Sequence, residues 1–298
     1  MTQGPLGNLS DTKKILFLIL LILLGGIVFS FLGSLVIMLT NGVNAISELA
    51  GATPSQQNIG MLKTLQIFQS IGMFLAPGLL AAYLYSNNTL DYLGFHKSRA
   101  NQYLLVLLLV FVSLPGINFL SSLNELIPLS QWMNDFEAKA EVLTNAFMET
   151  STIGGFLLNL LMIAIIPAFG EEIIFRGILQ KHFISITKKR WAGILITAAL
   201  FSAFHLQFKG FVPRMALGVI FGYIYAYSNN IWLTILAHFT NNALATVAYT
   251  AIKTGTQENV VENVGGLSMA WPLGVASIAL VILILMQIKK NAEAAKII

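Results

Sequence analysis

The sequence predicts an all-α, polytopic transmembrane helical bundle, and three observations carry that prediction. Of 298 residues, 56% are hydrophobic and only 10% charged, at a mean hydropathy of +0.76. A soluble domain of this size carries about a quarter charged residues, and so little charge cannot cover the surface of a water-soluble globule. The apolar residues also arrive in runs long enough to cross roughly 30 Å of hydrocarbon. Finally, the basic residues flank those runs, as membrane anchors do. Disorder is excluded, because it requires low hydrophobicity and high charge. The same flanking pattern argues against nucleic-acid binding despite a formal net charge of +4.

About eight spans are expected, near residues 15–39, 64–86, 102–126, 152–181, 191–208, 211–228, 231–252 and 270–288. The first follows Lys13-Lys14; it is too long for a signal-peptide core and lacks a small-x-small cleavage site, so it reads as a retained anchor. The longer loops, near 40–63 and 127–151, have room for short interfacial helices, which Trp132 and Phe136 would suit. The fourth span contains Pro167, and the fifth and sixth are separated only by Lys209-Gly210. With both termini inside, the inner segments hold Lys13, Lys14, Lys97, Arg99, Lys181, Lys188, Lys189, Arg190, Lys289, Lys290 and Lys296, against Lys63, Lys139, Lys209, Arg214 and Lys253 outside. Eleven against five favours cytoplasmic termini, N-in and C-in. The chain divides into an N-terminal three-span region (1–150) without a recognised motif, a core (151–250) and a C-terminal loop with the final span (251–298). No internal repeat of the kind that marks many transporters is visible.

The absence of cysteine removes thiolate catalysis, thiolate metal sites and disulfides, leaving His, Glu, Asp and Asn for chemistry. An ionisable group inside a transmembrane helix is costly and therefore a functional candidate. The fourth span carries Glu171-Glu172 and Arg176 just after Pro167 and Gly170. Pro167 lacks an N–H and frees a carbonyl one turn earlier, so the pair is expected at the N-terminal turn of a second half-helix, where the dipole favours carboxylates. Glu172 and Arg176 are four apart and can pair as a structural salt bridge. Glu171, about 100° round the helix, is left free to act as a base. The fifth span places Phe201 and His205 one turn apart, and the seventh places His238 and Asn242 on one face. Each alone is more simply an interhelical hydrogen-bonding group; Asn241 is read as structural, and His96, in a short charged loop, and His182, at a span end, as solvated.

Together these groups suit the activation of water. A Glu base takes the proton, one imidazole holds the water, and the other imidazole with an amide stabilises an oxyanion. The same set, with Glu171, His205 and His238 as ligands, could instead hold Zn²⁺ with an open position. No H-E-x-x-H, no G-x-S-x-G and no transmembrane Asp pair is present. Counting 1.5 Å per residue, Glu171 and His238 fall in the inner half of the membrane and His205 toward the outer half. Convergence then requires tilt, the Pro167 kink or a fifth helix that begins outside the bilayer.

E-E-x-x-x-R at Glu171, Glu172 and Arg176, F-x-x-x-H at Phe201 and His205, and H-x-x-x-N at His238 and Asn242 resemble, in order, the three motifs of the CPBP family. These are the CAAX-prenyl-endopeptidase and bacteriocin-processing intramembrane proteases, also called the ABI family. The resemblance covers roughly residues 150–250. It implies peptide-bond hydrolysis at the membrane of a protein or peptide substrate, with Glu171 and His205 activating water and His238 and Asn242 binding the oxyanion. Glu172, Arg176 and Phe201 would support them. The expected setting is a multi-pass protein in lipid, in the cell (plasma) membrane. The competing readings are a non-catalytic membrane partner of the bacteriocin self-immunity type and a proton-coupled transporter using the same groups as a relay.

Overall fold

The computed structural model describes residues 3–49, 54–55, 57–253 and 264–294. The chain is helical, with no strand among the described residues beyond an isolated bridge between Gln3 and Ser86. Its main helices are α1 (Asp11–Asn41), α2 (Ile59–Tyr85), α3 (Ala100–Glu125), α4 (Gln131–Met148), α5 (Ile153–Thr187), α6 (Arg190–Ala203), α7 (Phe211–Ser228), α8 (Ile231–Lys253) and α9 (Trp271–Ala294). Five of them, α1, α2, α3, α5 and α9, are long and apolar enough to cross a membrane, and they make the chain an integral membrane protein. The helix α6 has 14 residues, a rise of about 21 Å, and α7 and α8 are diluted by Arg214 and by His238, Asn241 and Asn242. Lys296, counted above among the inner cations, lies outside the described residues, as do residues 254–263 of the C-terminal loop.

Burial follows from the bilayer acting as solvent. In the most apolar helix, α1, only Leu18, Gly33 and Ile37 are buried, while Ile27, Phe31 and Leu39 point outward. One apolar core joins α1, α2, α5, α6, the Tyr225 end of α7 and the start of α8 around Phe74, Ile173, Phe175 and Phe201. A second joins α3, α7, α8 and α9 around Leu109, Phe221, Leu233 and Leu285. Thus α7 and α8 belong to both cores, with α5 at the centre of the first. The close approach of α2 to α5 depends on two glycines. A Cβ at Gly78 would lie 2.6 Å from Ile173, and one at Gly170 would lie 2.7 Å from Phe74.

The expected half-helix break at Pro167 does not occur. The helix α5 runs on through the proline, which sits at the start of an α-helical stretch, Ile166–Glu172, set between two π-helical stretches, Leu160–Ile165 and Ile173–Gln180. The wider π-turn takes up the missing donor without ending the helix. Helix α2 uses the same device, with the π-helical Ile71–Leu75 directly before Pro77. The glutamate pair therefore lies mid-helix, at the junction of α- and π-helical registers, and the helix dipole is not what stabilises it.

His182 is a second correction. It is not solvated but 5% exposed. Its Nδ1 is 2.7 Å from Asp11 Oδ1, its Nε2 is 3.2 Å from the Tyr92 hydroxyl, and Ser185 donates to the other Asp11 oxygen at 2.6 Å. This network ties the first turn of α1 to the last turns of α5. His96, 38% exposed, is on the surface as expected. The 18-residue amphipathic α4 occupies the second long loop, and its Trp132 packs edge-on against Phe208, with ring centroids 5.2 Å apart.

Candidate active site

The site starts from a buried ion pair. Arg176 and Glu172 are both 0% exposed, and Arg176 Nη1 donates to Glu172 Oε1 at 2.9 Å along one turn of α5. A second guanidinium nitrogen donates to Gly218 O of α7 at 3.2 Å, and the cation lies over the Phe201 ring, 4.5 Å from its centroid. The same Glu172 oxygen accepts from His238 Nδ1 of α8 at 2.8 Å. On the far edge of that imidazole, Nε2 stands 3.9 Å from Glu171 Oε2. Adjacent residues on a helix diverge by about 100°, and the two carboxylates accordingly straddle one imidazole. This differs from the expectation that Glu171 faces away from its neighbour's partners. Phe221 stacks on the His238 ring at 5.3 Å, with 22° between the planes, and completes its support.

His205 is placed by the end of a helix. The helix α6 stops at Ala203 instead of continuing to 208, and Leu206 turns the chain with a φ of +52°. His205 Nδ1 is 2.9 Å from Phe201 O, so the ring caps a carbonyl left open by the helix terminus. A carbonyl only accepts, hence Nδ1 carries the hydrogen and Nε2 is left with its lone pair. The Phe201 ring touches both imidazoles, with centroids 5.2 Å from His205 and 5.8 Å from His238. His238 thus lies both against the Phe201 ring and beside Glu171.

Asn242 has a partner that its spacing did not reveal. Its Nδ2 donates at 3.0 Å to Ile163 O, the carbonyl four residues before Pro167 that the proline leaves without a donor. Asn241 donates to Asn242 Oδ1 at 3.2 Å, which fixes the orientation of the amide. Asn242 thus clamps α8 onto α5 one turn beyond His238.

The residues present do not fit the zinc alternative. Among the described residues no three His, Asp or Glu side chains are grouped closely enough to hold a metal. A residue missed in the sequence joins the site instead. Arg214, counted above as an outer-loop cation, donates from Nη2 to Gln207 Oε1 at 2.6 Å, on the turn that carries His205. Only its position next to an apolar run could have signalled this.

The description "Type II CAAX prenyl endopeptidase Rce1-like" belongs to the family model that matches residues 153–244. Among curated proteins, the uncharacterized protein YpbD of Bacillus subtilis (strain 168) is 29% identical over 86 residues, 29% of this chain and 43% of that protein. YdiL of the same organism, described as a candidate membrane peptidase, is 31% identical over 90 residues, 30% of this chain and 36% of that protein. The chain thus spans less than half the length of either relative. No solved structure gives a significant match. The matched segment contains every motif residue from Glu171 to Asn242, and over residues 153–244 the chain is similar to the Rce1-like type II CAAX prenyl endopeptidases.

Proposed function

We propose that the protein is an intramembrane endopeptidase that hydrolyses a peptide bond of a membrane-associated protein or peptide with water activated by Glu171. The observation that carries this reading is one imidazole anchored at Nδ1 by Glu172, with Nε2 held 3.9 Å from a Glu171 oxygen that has no hydrogen-bond partner among the described residues. That distance is too long for a direct hydrogen bond and suits one shared water. Because Nδ1 faces a carboxylate it carries the hydrogen, which leaves a lone pair on Nε2.

A water in that gap gives one O–H to Glu171 and the other to His238 Nε2. Glu171 takes the proton as the water oxygen bonds to the scissile carbonyl carbon. The C–N bond then breaks, and Glu171 returns the proton to the leaving nitrogen. His205 Nε2 is a second acceptor at the edge of the site. Asn242 has one of its two amide hydrogens committed to Ile163 and the other left for the tetrahedral oxygen. Glu172, Arg176 and Phe201 hold the His238 ring in its tautomer and orientation. The family match and the similarity to YdiL support the reaction class.

The setting we infer is the plasma membrane with both termini inside. The packing of Arg190 and Lys289 over the same Tyr227 ring, at 4.7 and 5.3 Å, supports it by gathering inner-loop cations at one end of the bundle. The test is to compare membrane-protein termini by mass spectrometry in cells making the native protein or Glu171→Gln. New peptide ends present with the native protein and absent with the variant, at equal protein level, are expected. Identical sets of ends would sink the proposal.

A further inference from the structure

Arg214, in the first turn of α7, is a half-buried cation that the mechanism above does not use. Its Nη2 donates to Gln207 Oε1 at 2.6 Å, while Nη1 is buried without a hydrogen-bond partner among the described residues. No carboxylate among the described residues forms an ion pair with it. A buried guanidinium nitrogen ordinarily finds an acceptor, since leaving a buried donor unpaired is costly. The backbone also makes room for this one. A Cβ at Gly210 would lie 2.8 Å from Nη2 and 3.1 Å from Nη1, so the guanidinium packs directly over the 204–210 turn. That turn is the one that carries His205.

A cation serving only to hold Glu171 ionised would pair with it directly and would have its donors satisfied. The free Nη1 beside the site calls for an acceptor that arrives with the substrate, and the acceptor that matches a guanidinium in charge and geometry is a carboxylate. We propose that Arg214 is a specificity-determining residue that binds a carboxylate of the substrate, and so selects peptide bonds a short distance from an acidic group. The carboxylate is either the free C-terminus of the peptide or an Asp or Glu side chain. This inference rests on the hydrolytic reading of the site, and its test separates the two.

The probes are a fluorescein-labelled apolar hexapeptide as the free acid, the same peptide as its C-terminal amide, and the amide carrying one internal Asp. Binding to the full-length Glu171→Gln protein in lipid nanodiscs is read by anisotropy, and cleavage by the native protein is read separately. The free acid is expected to bind about ten-fold more tightly than the plain amide, as a charge-assisted hydrogen bond gives. Adding Arg214→Gln should erase that preference, and Arg214→Lys should retain part of it while melting like the parent. If the Asp-containing amide binds like the free acid, the side chain is the source; if it binds like the plain amide, the terminal carboxylate is. Equal binding of all three peptides, or a preference that survives Arg214→Gln, overturns the proposal. Carboxylate preference without cleavage by the native protein would leave the Arg214 site standing and remove the hydrolytic reading. Cleavage without the preference would do the reverse.

Discussion

Arg176 shows how far single residues could be read from sequence. Its pairing with Glu172 followed from helical spacing, because both partners lie on one helix and four residues apart. The arrival of His238 at the same carboxylate oxygen did not, because it depends on how α8 packs against α5. Arg214 looked like an ordinary loop cation for a related reason: the enclosure of its Nη1 comes from how the side chain packs over the turn at Gly210. The buried pair makes a prediction about stability. Arg176→Leu leaves Glu172 uncompensated in the core and should cost about 3–5 kcal/mol, whereas the double variant with Glu172→Leu should cost clearly less, since no buried charge is stranded. Denaturant unfolding in detergent measures both. A double variant as unstable as the single one would mean that the pair itself, and not the stranded charge, sets the loss. The double variant should be inactive, because the His238 ring loses its Glu172 anchor.

At the level of elements, apolar run length located the helices, while their ends and internal register were hidden. Nothing in the pattern of the fifth run marks Ala203 as its last helical residue; the stop comes from the left-handed Leu206 and the His205 ring capping Phe201 O. Likewise Pro167 announced a disturbed helix but not its form, since a π-turn and a break follow from the same missing donor. The freed Ile163 carbonyl, satisfied by Asn242, supplies a test. Asn242→Ala should lower stability by about 1–3 kcal/mol by leaving that carbonyl unpaired in an apolar setting. Pro167→Ala restores a backbone donor one turn later and should recover most of the loss in the double variant. Thermal unfolding reads the coupling, and purely additive losses would contradict it. Activity should stay low in the double variant if the second amide hydrogen serves the oxyanion.

Across the whole molecule, composition alone conveyed the class: an all-α chain whose apolar side chains face outward because lipid is the solvent. Composition could not tell which of eight apolar runs are long enough to cross. Five of the helices meet that test, and the two that carry Arg214, His238 and Asn242 do not, because the residues that build the site also lower their hydropathy. The two cores meet along α7 and α8, so the site sits where they join and where α5 places its two carboxylates. Sequence showed which residues to suspect; the bundle shows which of them touch.

The most direct measurement uses purified protein in proteoliposomes with a substrate found by the comparison of cellular termini, in water enriched in ¹⁸O. The native protein should place one labelled oxygen in the new carboxyl group in a single turnover. Glu171→Gln should slow cleavage by about a hundred-fold or more, as loss of a general base does, with unfolding unchanged. Cleavage by Glu171→Gln at the native rate would contradict the account, whatever the fate of the label.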